Sequence, residues 1–499
     1  TSLVHLKKKK GKVIVINPVV EPGLVKFKVP SIISSLFFGT NIADLYLSPH
    51  IGGDLALLSG ICKLILEKNK EDKFFIENFT NDFNEFKQNI KQLSWDYILE
   101  NSGIEKYEIE NITNSILSAK KIIFSWTMGI THHVNGTDNV QGIANLAILT
   151  GMVGKPHCGL LPLRGHSNVQ GMGTVGVTPQ LKESIFKKLT EQGIKLPKSI
   201  GLDTMGCMEA AAQGQMEFAW CLGGNLFDSN PDATFASKSL NKIDMITYLS
   251  TTLNRGHLFG RGKETLILPV LARDEEPQKT TQESMFSYVR LSDGGPSRYE
   301  NLKSEASIVA QIASFILKDS PIKWEQMKNY QSIQEFMAKT IPGLEKLATI
   351  EKEKKEFTIP KRIFHTPSFN TKNTKANFKS LNVPKLKKDP NTLTMMSVRS
   401  EGQFNTVVYE EEDVFRNINK RDVILMNILD MKNLKLKEND QVRVKSKIGS
   451  LNHIYVREFN IKKGNALMYY PECNQIIGRR LDPRSKTPAF KSTEISINN

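Results

Sequence analysis

Residues Gly151 to Pro179 read GMVGKPHCGLLPLRGHSNVQGMGTVGVTP. The stretch is dense in glycine and leaves few residues for a regular core. Such a segment either wraps something closely or is a flexible linker. Its interspersed Met, Val and Leu argue against a linker. Arg164 and His166 lie within it. Arginine carries a permanent, forked positive charge suited to a carboxylate or phosphate. Histidine donates, accepts or relays a proton near neutral pH. The plainer alternatives are a structural salt bridge for Arg164 and a hydrogen-bonded loop histidine for His166.

Working outward, Ile122–Trp126 reads as a strand, followed by a polar, glycine-bearing loop from Met128 to Gly136. A helix is expected from Asp138 to Thr150, with Asp138 near its cap and Gly151 at its end. Upstream, Lys12–Ile16 has the apolar run of a buried parallel strand, stopped by Asn17-Pro18. Leu55–Glu67 reads as a helix with Leu55, Leu58, Ile61, Cys62 and Ile65 on one face and Asp54 as its N-cap. Downstream, Phe218–Leu222 is a strand running into Gly223-Gly224-Asn225. Asp244–Tyr248 and Thr265–Val270 are two more. Strands alternating with helices imply α/β layers with parallel sheets. The texture changes after Pro321. Residues 321–390 mix short helices with Lys-rich, Pro-punctuated sequence and read as a connecting region. From Leu393 short β-like runs take over: Asp422–Met426, Gln441–Lys445, Leu451–Val456 and Ala466–Tyr470. They suggest a separate small β-barrel.

In open α/β sheets, ligands bind beyond the carboxyl ends of the strands. Asn17-Pro18, Met128–His133 and Gly223-Gly224-Asn225 occupy such places. Glycine lets backbone amides approach a phosphate, and a helix N-terminus adds a favourable dipole. A Gly-Gly-Asn after a strand is also an ordinary tight turn. The sequence holds no G-x-G-x-x-G and no G-K-[ST], which leaves ordinary dinucleotide and P-loop sites unsupported.

A chain of 499 residues exceeds one core, so roughly two to four domains are expected. Hydrophobic residues at 39% and charged residues at 24% fit a globular protein and exclude wholesale disorder. No apolar run approaches the roughly 18–20 residues of a membrane helix. The sequence starts at Thr1, with a strand almost at once, and is read as a truncated or processed end. The net charge of +15 can attract an anionic ligand or nucleic acid. No basic helix or interleaved aromatic platform accompanies it, so no nucleic-acid partner is expected. The five cysteines form no C-x-x-C and no zinc or cluster spacing. Free thiols in a reducing compartment, the cytoplasm, are the default.

Several runs, in consistent order, resemble the molybdopterin oxidoreductases. They are Met128-Gly129-Ile130-Thr131-His132-His133, Asp138-Asn139-Val140, Thr150–Pro156 and Arg164-Gly165-His166-Ser167-Asn168-Val169-Gln170-Gly171. The likeness continues through Cys221–Leu226, Leu253–His257, Ser397–Asn405 and Lys486–Lys491. It is nearest to the formate-dehydrogenase-like alpha-subunit branch and covers nearly the whole chain. It implies two doubly wound parallel-sheet α/β lobes followed by a double-psi-like β-barrel. The implied divisions are 1–165, 166–320, the connecting 321–390, and 391–499.

The resemblance also implies a molybdenum centre on two molybdopterin guanine dinucleotides. Asn17, Pro18, Gly52 and Asp54 would lie around one nucleotide tail, with Met128, His132 and Gly165 close to the cofactor. Gly223 and Asn225 would contact the other dinucleotide. Arg399, Gln403, Asn405, Tyr470, Asn474 and Lys491 would close over it from the barrel. Arg164 falls where formate dehydrogenases hold formate, and His166 where glutamine is frequent, so both are candidate catalytic residues. The family's [4Fe–4S] motif and metal-ligating Cys or selenocysteine match none of the five cysteines, and no metal ligand is assigned here. Formate oxidation with an electron-transfer partner is the implied function. A non-catalytic scaffold or accessory subunit is the alternative.

Overall fold

The structure, a computed structural model, describes residues 2–498 except 361, 363, 387, 388 and 390. The expected first strand is present as Ile14–Ile16, parallel to Leu45–Leu47 with Val15 opposite Tyr46. A helix the sequence reading did not anticipate, Ser2–Lys8, precedes it. The next helix, Asp54–Glu67, departs from the expected single apolar stripe. Residues Leu55 through Leu66 are all buried. A helix apolar or small on every side belongs inside a core. Here Phe86, Ile98, Ile109, Ile143 and Leu146 surround it. Gly60 and Gly142 allow the approach. A Cβ on Gly60 would lie 2.8 Å from Ile98 Cγ2, and one on Gly142 2.8 Å from Leu55 Cδ1. Gly53, not Asp54, is the N-cap, and Asp54 takes the first helical position. Its carboxylate there faces the positive end of the helix dipole.

The helix expected from Asp138 runs Gly136–Leu149, with Asn135 as its N-cap. Gly151 follows at φ 58°, in the left-handed region that ends helices. Ile123–Trp126 pairs in parallel with Gly159–Pro162. The glycine-rich stretch is therefore not all loop: it contributes this strand and the short helix Val169–Thr174.

The chain gathers into two compact units, Thr1–Pro162 with Phe364–Asn499, and Leu163–Ile363. The first unit ends in a closed six-stranded barrel. Its order is Leu393–Val398, Asn465–Tyr469, Val423–Met426, Ser450–Glu458, Gln441–Lys445 and Thr493–Asn498. Two pairs are parallel, with Val398 opposite Tyr469 and Val423 opposite Tyr455, and the rest antiparallel. Closure removes the open edges that would otherwise template aggregation. Met395, Ile424, Met426, Val456, Ala466 and Met468 fill the interior.

The second unit holds a three-stranded parallel sheet, ordered Glu264–Pro269, Met245–Ser250, Phe218–Leu222. Met208, Phe227, Leu240, Ile246 and Tyr248 form the core beside it. A second core joins the hairpin Thr280–Glu283/Tyr288–Ser292 to Ile341, Leu344, Leu347 and Ile350. The fold is thus α/β with parallel sheets and a C-terminal barrel, as the sequence implies.

Ile61 is fully buried in the helical core. Ile61→Ala is expected to destabilise the first unit by about 3 kcal/mol, and Ile61→Val by about 1 kcal/mol. Urea unfolding of the full chain measures both. Equal midpoints for the two variants would show that the site is not close-packed.

Candidate cofactor-binding site

The turns at the strand ends of the first unit are built by their own side chains. Asn17 Oδ1 accepts the Val19 N–H at 3.1 Å, bending the chain at Pro18. Gly52 sits at φ 85°. Asp54, just beyond, has its carboxyl pushed up to about 6 by burial. Asn465 of the barrel reaches this turn. Its Oδ1 accepts the Ile51 N–H at 3.0 Å, and its amide nitrogen donates to His50 Nδ1 at 2.9 Å.

A connected cluster brings together four of the residues expected at the site. The Lys491 N–H donates to the His132 carbonyl at 3.0 Å. Its ammonium donates to the Ser397 carbonyl. Among the described residues no carboxylate forms an ion pair with Lys491. Glu21, the carboxylate that acts on it, is committed to Arg416 at 2.8 Å. Burial, reinforced by Arg399 and Arg416, pushes the ammonium down to about 8. The His132 ring lies 5.4 Å from Phe490 and is driven down to about 3 by burial, Lys491, His133 and Arg399. It is therefore a neutral imidazole with one donor and one acceptor. Tyr470 packs edge-on against Phe490 at 5.9 Å, and Arg399 lies 5.2 Å over the Tyr470 ring.

Gln403 is placed differently. Its amide donates to the carbonyls of Asn405 at 2.8 Å and Tyr470 at 2.9 Å, and its oxygen accepts the Ser400 N–H. It shapes the loop rather than reaching out of it. Asn405 takes a left-handed φ of 51° in that loop. Asn474 is buried in the turn after the cis Tyr470–Pro471 bond. Arg421 was not foreseen. It chelates Glu472 at 2.6 and 3.0 Å, donates to Ser400 Oγ at 2.6 Å and to the Tyr470 carbonyl at 2.8 Å. The rings of Tyr409 and Tyr469 lie 4.5 and 5.0 Å from it. No motif in the sequence marks this residue.

In the second unit, Arg164, Gly165 and His166 are exposed. Among the described residues Arg164 forms no ion pair. Gly223 and Gly224 follow their strand at φ 64° and 71°. Asn225 is an N-cap: its oxygen accepts the Asp228 N–H at 3.0 Å and its amide donates to Asp228 at 2.7 Å. Asn254 donates to the Gly224 carbonyl at 3.0 Å, folding the Leu253–His257 run onto this turn. A Cβ on Gly256 would lie 2.4 Å from Asn225 Oδ1, so only glycine fits. Met128, in the first unit, is 44% exposed.

Three features, taken within each unit by itself, test whether these residues suit an anionic pterin dinucleotide. Lys491 is a buried cation whose hydrogen-bond partners are neutral. Trp220 Nε1 and His257 Nε2 are buried without a hydrogen-bond partner among the described residues. A Cβ on Gly129, Gly165 or Gly224 would meet nothing within 4 Å, so the backbone at each is open to a close ligand. The residues fit such a group. Among the described residues no three His, Cys, Asp or Glu gather as a metal site, and all five cysteines are free.

The comparisons agree with this chemistry. Residues 3–257 match the family model described as molybdopterin oxidoreductase, and 393–494 match the molydopterin dinucleotide binding domain. An uncharacterized oxidoreductase of Mycobacterium tuberculosis (strain H37Rv) is 29% identical over 97% of this chain. The chain spans 65% of that relative's length. Protein YdeP of Escherichia coli K12 is 31% identical over 100% of this chain and 70% of its own. Acetylene hydratase from Pelobacter acetylenicus shares the fold, with a TM-score of 0.68 at 15% identity over 99% of this chain and 75% of that one. With a dinucleotide-binding barrel matched in sequence and closed in three dimensions, and a glycine-lined α/β portion before it, the chain belongs to the molybdopterin oxidoreductase family.

Proposed function

We propose that this protein binds a molybdenum or tungsten centre through two molybdopterin guanine dinucleotides and oxidises formate to carbon dioxide, a proton and two electrons. The observation that carries the substrate is Arg164: an exposed guanidinium, unpaired among the described residues, on a glycine-flanked loop. A guanidinium fork holds a carboxylate in a defined orientation. Arg164 would grip one formate oxygen, and His166, two residues on, would relay the released proton. The bound metal centre supplies the two-electron redox chemistry. Lys491 and Arg399 would neutralise pterin or phosphate oxygens. The neutral His132 would donate a hydrogen bond without adding charge.

The proposal extends to a [4Fe–4S] cluster and an electron-accepting partner, with ligands outside the five cysteines of this chain. Those cysteines are free, which supports a reducing, cytoplasmic compartment. No helix among the described residues is long and apolar enough to cross a membrane.

Arg164→Ala in the complete, cofactor-loaded protein is expected to leave metal and pterin content unchanged. It should cut formate kcat/KM by roughly a hundred- to a thousand-fold. Unchanged turnover would remove Arg164 from the reaction. Absence of metal and pterin from wild-type protein expressed beside loaded relatives would favour a scaffold instead.

Lys491 gives a second test. Its folded-state pKa, about 8, lies below the ordinary 10.5. Between those values the unfolded chain keeps a proton that the folded chain has lost, so stability rises with pH there. The cofactor-free protein should therefore become more stable from pH 8 to 10.5, and Lys491→Met should abolish that slope. The same variant should be the more stable protein at pH 7, yet retain pterin about tenfold less tightly. Pterin retention equal to wild type would exclude Lys491 from the cofactor site.

A further inference from the structure

The loop that carries Arg164 is anchored by a side chain to which the proposed reaction gives no role. Arg164 and His166 lie in irregular chain just before the short helix Val169–Thr174. Asn168 stands at the foot of that helix with a left-handed φ of 60°. Asparagine and aspartate enter this region more readily than other residues with a side chain. The Asn168 side chain does not cap the helix. Its oxygen instead accepts the N–H of Glu283, far along the chain, at 2.9 Å. Glu283 ends the strand Thr280–Glu283, which pairs on one side only, with Tyr288–Ser292. Asn168 therefore satisfies an amide on the open edge of this sheet. The far end of the helix returns to the same residue. One nitrogen of Arg362 donates to Thr174 Oγ1 at 3.0 Å and to Glu283 Oε1 at 2.7 Å. Glu283, only 5% exposed, thus holds one end of the helix by its N–H and the other through its carboxylate.

Gly171 shows how closely the attachment is fitted. A Cβ there would lie 2.0 Å from Asn168 Oδ1, so only glycine leaves that oxygen in place to reach Glu283. Asn168 and Gly171 both belong to the run that begins at Arg164, and one hydrogen bond accounts for both. We propose that Asn168 is a positioning residue: its bond to Glu283 fixes the foot of the loop, and so the place of the Arg164 guanidinium four residues before it. This rests on the reading of Arg164 as the group that grips formate. Four residues of chain with a loose foot range over roughly 13 Å. An error of about 1 Å in a positioned group costs on the order of a hundredfold in rate. One bond that removes the freedom of the foot therefore has a large effect on the tip.

Asn168→Gly keeps the left-handed backbone and removes the acceptor. In the full chain it should speed native-state trypsin cleavage after Arg164 by about fivefold, with cleavage elsewhere unchanged. In the complete, cofactor-loaded protein it should lower formate kcat/KM at least about tenfold without loss of pterin. Asn168→Asp keeps the acceptor and should recover both readouts to within about threefold of wild type. Gly171→Ala displaces the oxygen without touching Asn168. It should reproduce both changes, and it carries the test if Asn168→Gly does not fold. In an Arg164→Ala background Asn168→Gly should slow turnover no further, because it acts through Arg164. Cleavage after Arg164 at the wild-type rate in Asn168→Gly and Gly171→Ala would show that the loop is not held there. A further loss in the Arg164→Ala background as large as in wild type would make the residue merely structural. Either result overturns the proposal. Wild-type turnover by Arg164→Ala alone would instead remove the formate reading, and the cleavage rates would still decide whether Asn168 anchors the loop.

Discussion

A buried ammonium among guanidiniums is the constraint around which the first unit is arranged. Lys491 is held by a backbone carbonyl and faces Arg399 and Arg416, and its proton affinity falls accordingly. Isolated, such a group destabilises a fold, because the hydration it loses is not replaced by a counter-charge. On the proposed reading, a pterin dinucleotide would invert that balance, its oxygens supplying the missing anion. That also accounts for the neutrality of His132: a second full charge beside Lys491 would cost the fold more than a neutral hydrogen bond.

Holding charges in such a position demands that the barrel and the helical core be fixed together within the first unit. Four contacts do this, each using a different chemistry. Asn465 satisfies the turn before Gly52. Asp482 accepts both the N–H and the hydroxyl of Thr137, at 2.9 and 2.7 Å. Burial opposes the carboxylate, but the Ser485 N–H and these two bonds hold its carboxyl at about 2. Arg416 bridges Asp413 to Glu21. Lys491 itself bonds the His132 carbonyl. Three of the four begin in turns at the strand or helix ends of the helical portion. The elements that would present amides to a ligand are therefore the same ones that locate the barrel.

The sequence disclosed what repeats and what is glycine. Alternation and apolar runs located the three-stranded sheet within a residue or two, and the short β-runs after Leu393 gave the barrel. It could not disclose side chains whose role arises only from packing. Arg421 carries no motif in the sequence, and its many-sided engagement exists only once Tyr409, Tyr469 and Glu472 converge. Asn225 and Gln403 stand in motifs that suggest ligand contact, yet their side chains are spent on a helix cap and on loop carbonyls. The one-faced stripe expected of Asp54–Glu67 failed for a related reason. Gly60, Ser59 and Lys63 look like a polar side in the sequence, but neighbouring helices cover them too. Small or long-stemmed residues can be buried without an apolar signature.

Two of the three cations expected at the site, Lys491 and Arg164, meet different environments, and on the proposed reading the difference would separate their tasks. Lys491 is part-buried and held by the carbonyl and hydroxyl of Ser397, which on the proposed reading would suit a resident group. Arg164 is exposed on a glycine-flanked segment, so it keeps its hydration until a ligand arrives. A substrate must bind and depart, and an arginine locked in a buried network would hold a carboxylate too long or admit none. Gly165, on its C-terminal side, has open space where a Cβ would stand, which would permit the small backbone adjustments that such a role requires. The same reasoning explains why Asn168 is anchored to Glu283 while Arg164 is not. The loop is thus fixed at Asn168, and on the proposed reading it would present the exposed Arg164 to a small anion.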